Sequence, residues 1–170
     1  MTPERKLSPT EDRDLPRLYG YGHTNIVSRP TPDQSGLRNS ELVAGTADLE
    51  TKFRKWKPEA VCIAGKGIWE AIWKYKHGSA PKKEEFKWGW QNESENMGCS
   101  IAPEVDGKGR PWSGARVFVT TSPSGQAASV PWADKVRVWT ELGEWVKVRR
   151  EEVAQEAVEV KDEVKTELTA

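Results

Sequence analysis

Two short runs of strand length constrain this chain more than any other feature, "AVCIAG" at residues 60–65 and "RVFVTT" at residues 116–121. Each is apolar almost throughout, which fits strands buried on both faces, and each leads into a turn of small residues and then a helical pattern. After Gly65, "KGIWEAIWKYK" sets Ile68/Ile72 and Trp69/Trp73 at i, i+4. After Thr121 comes "SPSG", then Pro131 in the first turn of a helix whose expected buried stripe is Trp132, Val136, Trp139, Leu142 and Val146. Parallel neighbours need crossovers, so strands alternating with helices imply a mostly parallel sheet and an α/β fold.

The rest of the chain is punctuated around these units. Residues 1–16 carry turn formers and charges without apolar periodicity and are expected as a flexible lead-in to a domain over 17–150. Residues 24–27 read as a strand end, followed by "SRPTPDQSG", which Pro30 and Pro32 exclude from a central strand. Ser40 is the expected N-cap of a helix with Leu42, Val43, Thr46, Leu49, Phe53 and Trp56 on its buried stripe, stopped just past Lys57 by Pro58. Residues 77–114 show no regular period and read as a long excursion, and the charged tail over 151–170 reads as a solvated helix or disorder.

Composition narrows the partners. At 170 residues with 36% apolar and 31% charged content, one globular domain with solvated flanks is expected. The formal charge is zero, but residues 151–170 hold seven acidic residues and two lysines, a net of −5, leaving +5 on residues 1–150. A mildly basic folded part with Lys52, Arg54, Lys55, Lys57, Lys82 and Lys83 is compatible with nucleic-acid backbone contact or with an ordinary solvated surface. Cys62 and Cys99 lack metal-ligand or disulfide spacing, which fits a reducing compartment, and neither a signal peptide nor a bilayer-length apolar run is present in the sequence.

In open α/β sheets ligands gather beyond the carboxyl ends of the strands, where the loops after Val27, Gly65 and Thr121 would converge. Small side chains at 122–125 let something bulky approach the backbone, and Ser122 and Ser124 can hold a phosphate oxygen; the same residues also populate ordinary turns. "GKG" at 65–67 is too short for a phosphate-cradling loop, yet Lys66 at a helix N-terminus can meet one anion. His23 and His77 have no triad partners at a recognisable spacing and read as structural or surface residues. Among nine tryptophans, Trp69, Trp73, Trp132 and Trp139 fall on helix stripes, whereas Trp88, Trp90 and Trp112 stand in irregular sequence.

Four segments in order carry a family resemblance: "GHTNIVSRPT" (22–31), "VCIAGKGIWE" (61–70), "FKWGWQ" (86–91) and "VFVTTSPSGQAAS" (117–129) with "DKV" (134–136). Together they resemble the mismatch-specific uracil/thymine DNA glycosylases from about Leu15 to Arg150. Asn25 after Thr24 is similar to the eukaryotic thymine DNA glycosylase branch, where the bacterial mismatch enzyme has lysine. The resemblance implies a uracil-DNA-glycosylase-like three-layer sandwich around a short sheet, and a hydrolase of base excision repair acting on uracil or thymine in G·U or G·T mispairs. It further implies double-stranded DNA as partner, a nuclear location, a monomer, no membrane, and no metal or organic cofactor.

Carried over by motif, Asn25 resembles the residue contacting the flipped pyrimidine and Thr31 the threonine near the reacting centre. Lys66 resembles a phosphate-contacting lysine, and Ser122, Pro123, Ser124 and Gly125 resemble the turn that pinches the backbone beside the flipped nucleotide. Gln126 stands at the wedge position, where relatives have arginine or leucine. The family's first strand ends in a Gly-hydrophobic-Asn-Pro-Gly turn whose asparagine holds the attacking water, and these residues contain no such turn. The expectation is therefore a domain without its first strand, through a shortened gene model, an internal start or genuine loss. Two further readings stand beside the enzyme, a non-catalytic DNA-binding remnant and an α/β module binding a small anion at Lys66.

Overall fold

A computed structural model describes residues 8–32, 36–123 and 130–167, which fall into two compact units, Ile26–Glu144 and the pair of segments Met1–Asn25 and Trp145–Ala170. In the larger unit, β1 (Ala60–Ala64) pairs in parallel with β5 (Arg116–Thr120), Ala60 opposite Arg116 and Ala64 opposite Thr120. β2 (Gly89–Trp90) adds antiparallel to the other side of β5, giving the order β1-β5-β2. The expected mostly parallel α/β sheet is thus present, with its two long strands on the two apolar runs.

One face of the sheet, carrying Val61, Ile63, Val117 and Val119, packs in a single core with Leu49 and Phe53 of α2 (Asn39–Trp56), and Trp69 and Ile72 of α3 (Lys66–His77). On the other face Phe118 and Thr120 are fully buried, with the Trp90 ring edge-on to Phe118 at 5.0 Å. Cys62 and Ala64 on that face are exposed, so β1 is buried on one side only and not on both. The covering layer explains this. α4 (Trp132–Glu167) runs over the β2 side, where the Glu141 carboxylate stands 3.2 Å from the place a Gly89 Cβ would take. β1 also lies at the edge of the sheet: Arg116 N–H bonds Glu59 C=O and Gly65 N–H bonds Thr120 C=O, so by alternation the amides of Ala60, Cys62 and Ala64 point outward. Among the described residues no strand pairs with that edge.

Residues 24–27 form no strand. The Ile26 carbonyl lies against α2 and not in a ladder, close enough that a Cβ on Gly45 would come within 2.0 Å of it. The N-cap of α2 is Arg38 and not Ser40, because the Glu41 carboxylate accepts the Arg38 N–H at 2.9 Å and so supplies the cap from the third helical position. Its buried stripe is Leu42, Thr46, Leu49 and Phe53, while Trp56 is 73% exposed at the last residue, just before Lys57 turns left-handed at φ 46°.

The stretch 77–114 is irregular but densely packed. β3 (Glu104–Val105) pairs antiparallel with β4 (Pro111–Trp112), a 3-10 turn spans Glu93–Glu95, and Met97 bridges to Ala115. Packing also absorbs its tryptophans: Trp112 Nε1 donates to Pro58 C=O at 3.0 Å, Trp88 meets Phe86, and the Arg116 guanidinium covers Trp90 at 4.4 Å. Glu95 is buried, which pushes its carboxyl up, but hydrogen bonds from His77 and Lys76, each at 3.1 Å, outweigh this and hold it below the usual range. His77 is accordingly a structural partner.

Among the described side chains of α4, Lys135 and Val138 are buried and Trp139, Leu142 and Val146 half-buried, whereas Trp132 and Val136 are 73% and 46% exposed. The expected stripe thus holds from Trp139 onward, and its first two members turn outward because Lys135 and Val138 take the inward positions instead. In the smaller unit, residues 9–14, expected in the lead-in, form a 3-10 segment (Pro9–Asp14) capped by Ser8, whose N–H bonds the Glu11 carboxylate at 2.6 Å. α1 (Leu15–Tyr19) follows, and the Arg150 guanidinium donates to Tyr19 C=O at 2.9 Å. Over the expected acidic tail α4 continues as helix to Glu167. Among the described residues no helix is long and apolar enough to cross a membrane, and no group of His, Cys, Asp and Glu is arranged to hold a metal ion.

Gly45 gives a direct test of this packing. Alanine ordinarily favours a helix interior by about 1 kcal/mol over glycine. Here a methyl group would strike the Ile26 backbone, so Gly45→Ala is expected to lower stability by about 1–3 kcal/mol, read as a fall in the denaturant midpoint. An unchanged or raised midpoint would contradict the placement of Ile26.

Candidate functional site

The site is assembled from strand ends. Because β1 and β5 run parallel and in register to Ala64 and Thr120, the segments leaving them start side by side, joined by the Gly65 N–H to Thr120 C=O bond of 2.8 Å. Gly65 has φ 123° and ψ 136°, a conformation that L side chains rarely adopt, and it caps α3 through its backbone alone. The chain consequently turns from strand into helix without a linker, and Lys66 opens α3 at the same sheet end from which Ser122 and Pro123 leave β5.

Lys66 is exposed. Its ammonium lies 3.6 Å from Glu70 on the next turn and 4.9 Å from the centre of the Phe86 ring. An exposed pair of this sort is worth under about 1 kcal/mol, so Glu70 holds the ammonium only weakly. Ser122 is half-buried and Pro123 exposed, and the two threonines before them, Thr120 and Thr121, are buried with hydroxyls that have no hydrogen-bond partner among the described residues. Ser124, Gly125 and Gln126, expected to complete the pinch and the wedge, lie outside the described residues.

The loop carrying Thr31 is held by charge. Arg29 Nε and Nη2 donate to the two carboxylate oxygens of Glu41 at 2.7 and 3.0 Å, and Nη2 also donates to Gly36 C=O at 2.7 Å. The Arg29 guanidinium, with the Arg38 N–H, holds the Glu41 carboxyl down to about 2, and Glu41 in turn raises the arginine further. Gly36 is thereby brought against Thr31, whose Cβ stands 3.6 Å from where a Gly36 side chain would begin. Thr31 itself is half-buried. This clamp was not read from the sequence, since an ion pair between Arg29 and Glu41 has no local spacing to announce it; Glu41 at a capping position was the only signal.

Between the start of α2 and α3 lies a cleft of about 340 Å³, lined by Leu37, Asn39 and Leu42 on one side and Gly67, Glu70, Lys74 and Ala80 on the other. The segments after Gly65 and Thr120 are neighbours in the larger unit, whereas neither Thr31 nor Lys66 lines the cleft. Asn25 belongs to the smaller unit, where it is exposed and its carbonyl accepts the Thr24 hydroxyl at 3.5 Å.

No family model matches the chain. A G/U mismatch-specific uracil DNA glycosylase from Schizosaccharomyces pombe is 34% identical over 148 residues, covering 86% of this chain and 39% of the relative. The chain thus spans about two fifths of the length of the curated relative it matches. The similarity supports the resemblance carried by the four ordered segments.

The clamp predicts an acid titration. Glu41 is expected to titrate near about 2 by carboxyl NMR, well below a free glutamate near about 4.3. Since its folded value is depressed, the pairing contributes above the unfolded value and is lost only as pH falls through the folded one. Arg29→Gln should return Glu41 toward the ordinary range; a Glu41 value unaffected by that substitution would contradict the pairing.

Proposed function

We propose that this chain belongs with the mismatch-specific uracil/thymine DNA glycosylases and engages double-stranded DNA at G·U and G·T mispairs, as a monomer in nuclear base excision repair without a cofactor. One observation carries the reading. The two segments that resemble the family's DNA-contacting motifs, at Lys66 and at Ser122 onward, leave adjacent parallel strands and are joined by the Gly65–Thr120 bond. The 34% identity to a G/U mismatch-specific uracil DNA glycosylase supports it.

The chemistry requires this arrangement. The glycosidic bond of a stacked base is inaccessible, so the nucleotide must leave the duplex at a cost of a few kcal/mol that is least at a mispair. A side-chain-poor corner at 122–125 lets the phosphate backbone approach the Ser122 and Ser124 hydroxyls, Lys66 contacts a neighbouring phosphate, and Gln126 enters the vacated space. Glutamine there is shorter than arginine and uncharged, which weakens plugging. Asn25 donates to the extruded pyrimidine, and Thr31 stands beside the sugar as the C–N bond breaks and negative charge develops on the base.

A second reading, that the chain by itself binds DNA without cleaving the bond, is favoured by the lack of a Gly-hydrophobic-Asn-Pro-Gly turn in these residues. Incubation with a G·U duplex followed by alkali separates the two. Strand breaks above background support the enzyme, whereas a salt-sensitive gel shift without breaks supports the binder. Absence of both contradicts each reading. In either case Lys66→Ala is expected to reduce the slope of log affinity against log salt by about one.

A further inference from the structure

Arg29 is fixed by three hydrogen bonds, and none of them contributes to the core. Its side chain is 46% exposed, and the loop it holds carries two prolines, Pro30 and Pro32, on either side of Thr31. Proline fixes φ at both flanking positions, so the backbone around Thr31 has little freedom of its own, and its remaining freedom lies in the angle at which the loop meets α2. The Arg29 fork sets that angle. Nε and Nη2 grip both oxygens of Glu41 on the first turn of α2, while the same Nη2 holds the Gly36 carbonyl, which returns the far side of the loop against Thr31. Glu41 is itself anchored to the helix start by the Arg38 N–H. A planar guanidinium can serve two carboxylate oxygens and a carbonyl at once, and a lysine ammonium cannot reproduce that geometry.

We propose that Arg29, acting through Glu41 and Gly36, is the positioning residue that presents Thr31 to an extruded nucleotide, and so determines how strongly the chain prefers a mispair over a matched duplex. This rests on the glycosylase reading. Arg29 contacts neither DNA nor base in this account. Its loss leaves general backbone affinity in place and removes discrimination, since a displaced group at the reacting centre is costly even at small misplacements.

The test measures affinity of the full chain for a G·U duplex and for the otherwise identical G·C duplex, at one salt concentration, with wild type, Arg29→Gln, Glu41→Gln and Arg29→Lys. The two glutamine substitutions change net charge in opposite directions, so a purely electrostatic role would move affinities oppositely. The positioning role predicts that both lower the G·U over G·C ratio, on the order of tenfold, with G·C affinity normalised for charge, and that Arg29→Lys falls between. Thermal midpoints should stay near wild type, because Arg29 is 46% exposed and a glutamine at 41 can still accept the Arg38 N–H. Wild-type preference that survives both glutamine substitutions overturns the proposal, as does a loss of ratio that occurs only together with a large fall in midpoint. A wild-type chain that does not distinguish G·U from G·C overturns the glycosylase reading instead, and this proposal with it.

Discussion

Five-residue parallel pairing between β1 and β5, closed by the Gly65 N–H to Thr120 C=O bond, is the constraint from which the rest of the larger unit follows. It puts Val61, Ile63, Val117 and Val119 on one surface, where burial of branched side chains against Leu49, Phe53, Trp69 and Ile72 supplies the main favourable term. It also brings two strand-to-turn transitions to a single point. Had the strands been antiparallel, Lys66 and Ser122 would leave opposite ends of the sheet.

Around that end the structure uses rigid backbone in preference to side-chain bulk. Gly65 turns at a positive φ so that α3 begins at once, Pro30 and Pro32 stiffen the Thr31 loop, and one guanidinium ties that loop to α2. The buried Glu95 carboxylate is answered by Lys76 and His77. The Thr120 and Thr121 hydroxyls differ, lacking a hydrogen-bond partner among the described residues where the strand opens toward the proposed DNA corner. The uncovered face of β1 at Cys62 and Ala64 has a plain cause, since α4 lies over β2 and, among the described residues, β1 has a single neighbouring strand.

What the sequence made legible was the strongly periodic part. The two apolar runs, the helices after Gly65 and Arg38, and the meeting of their loops could be read because alternating strand and helix patterns admit few topologies. Local rules failed where a competing contact decided the outcome. Ser40 is a good N-cap by type, but Glu41 moved the cap to Arg38; Trp132 and Val136 fit a helical stripe, but Lys135 and Val138 take the inward positions; residues 24–27 have strand composition, but Ile26 spends its carbonyl against Gly45 and not in a ladder. Of the expected site residues, Thr31, Lys66, Ser122 and Pro123 lie in the larger unit, Asn25 lies in the smaller, and Ser124, Gly125 and Gln126 lie outside the described residues; the Arg29–Glu41 clamp left no periodic trace to find.

The central claim is that the shared end of β1 and β5 faces DNA. Hydrogen exchange of the chain with and without a G·U duplex measures this directly, peptide by peptide. The account predicts slowed exchange confined to the loop around Thr31, the start of α3 at Lys66 and the segment from Ser122 to the start of α4. Protection found instead on the β3–β4 hairpin and the C-terminal end of α2, with these three segments unchanged, would contradict it.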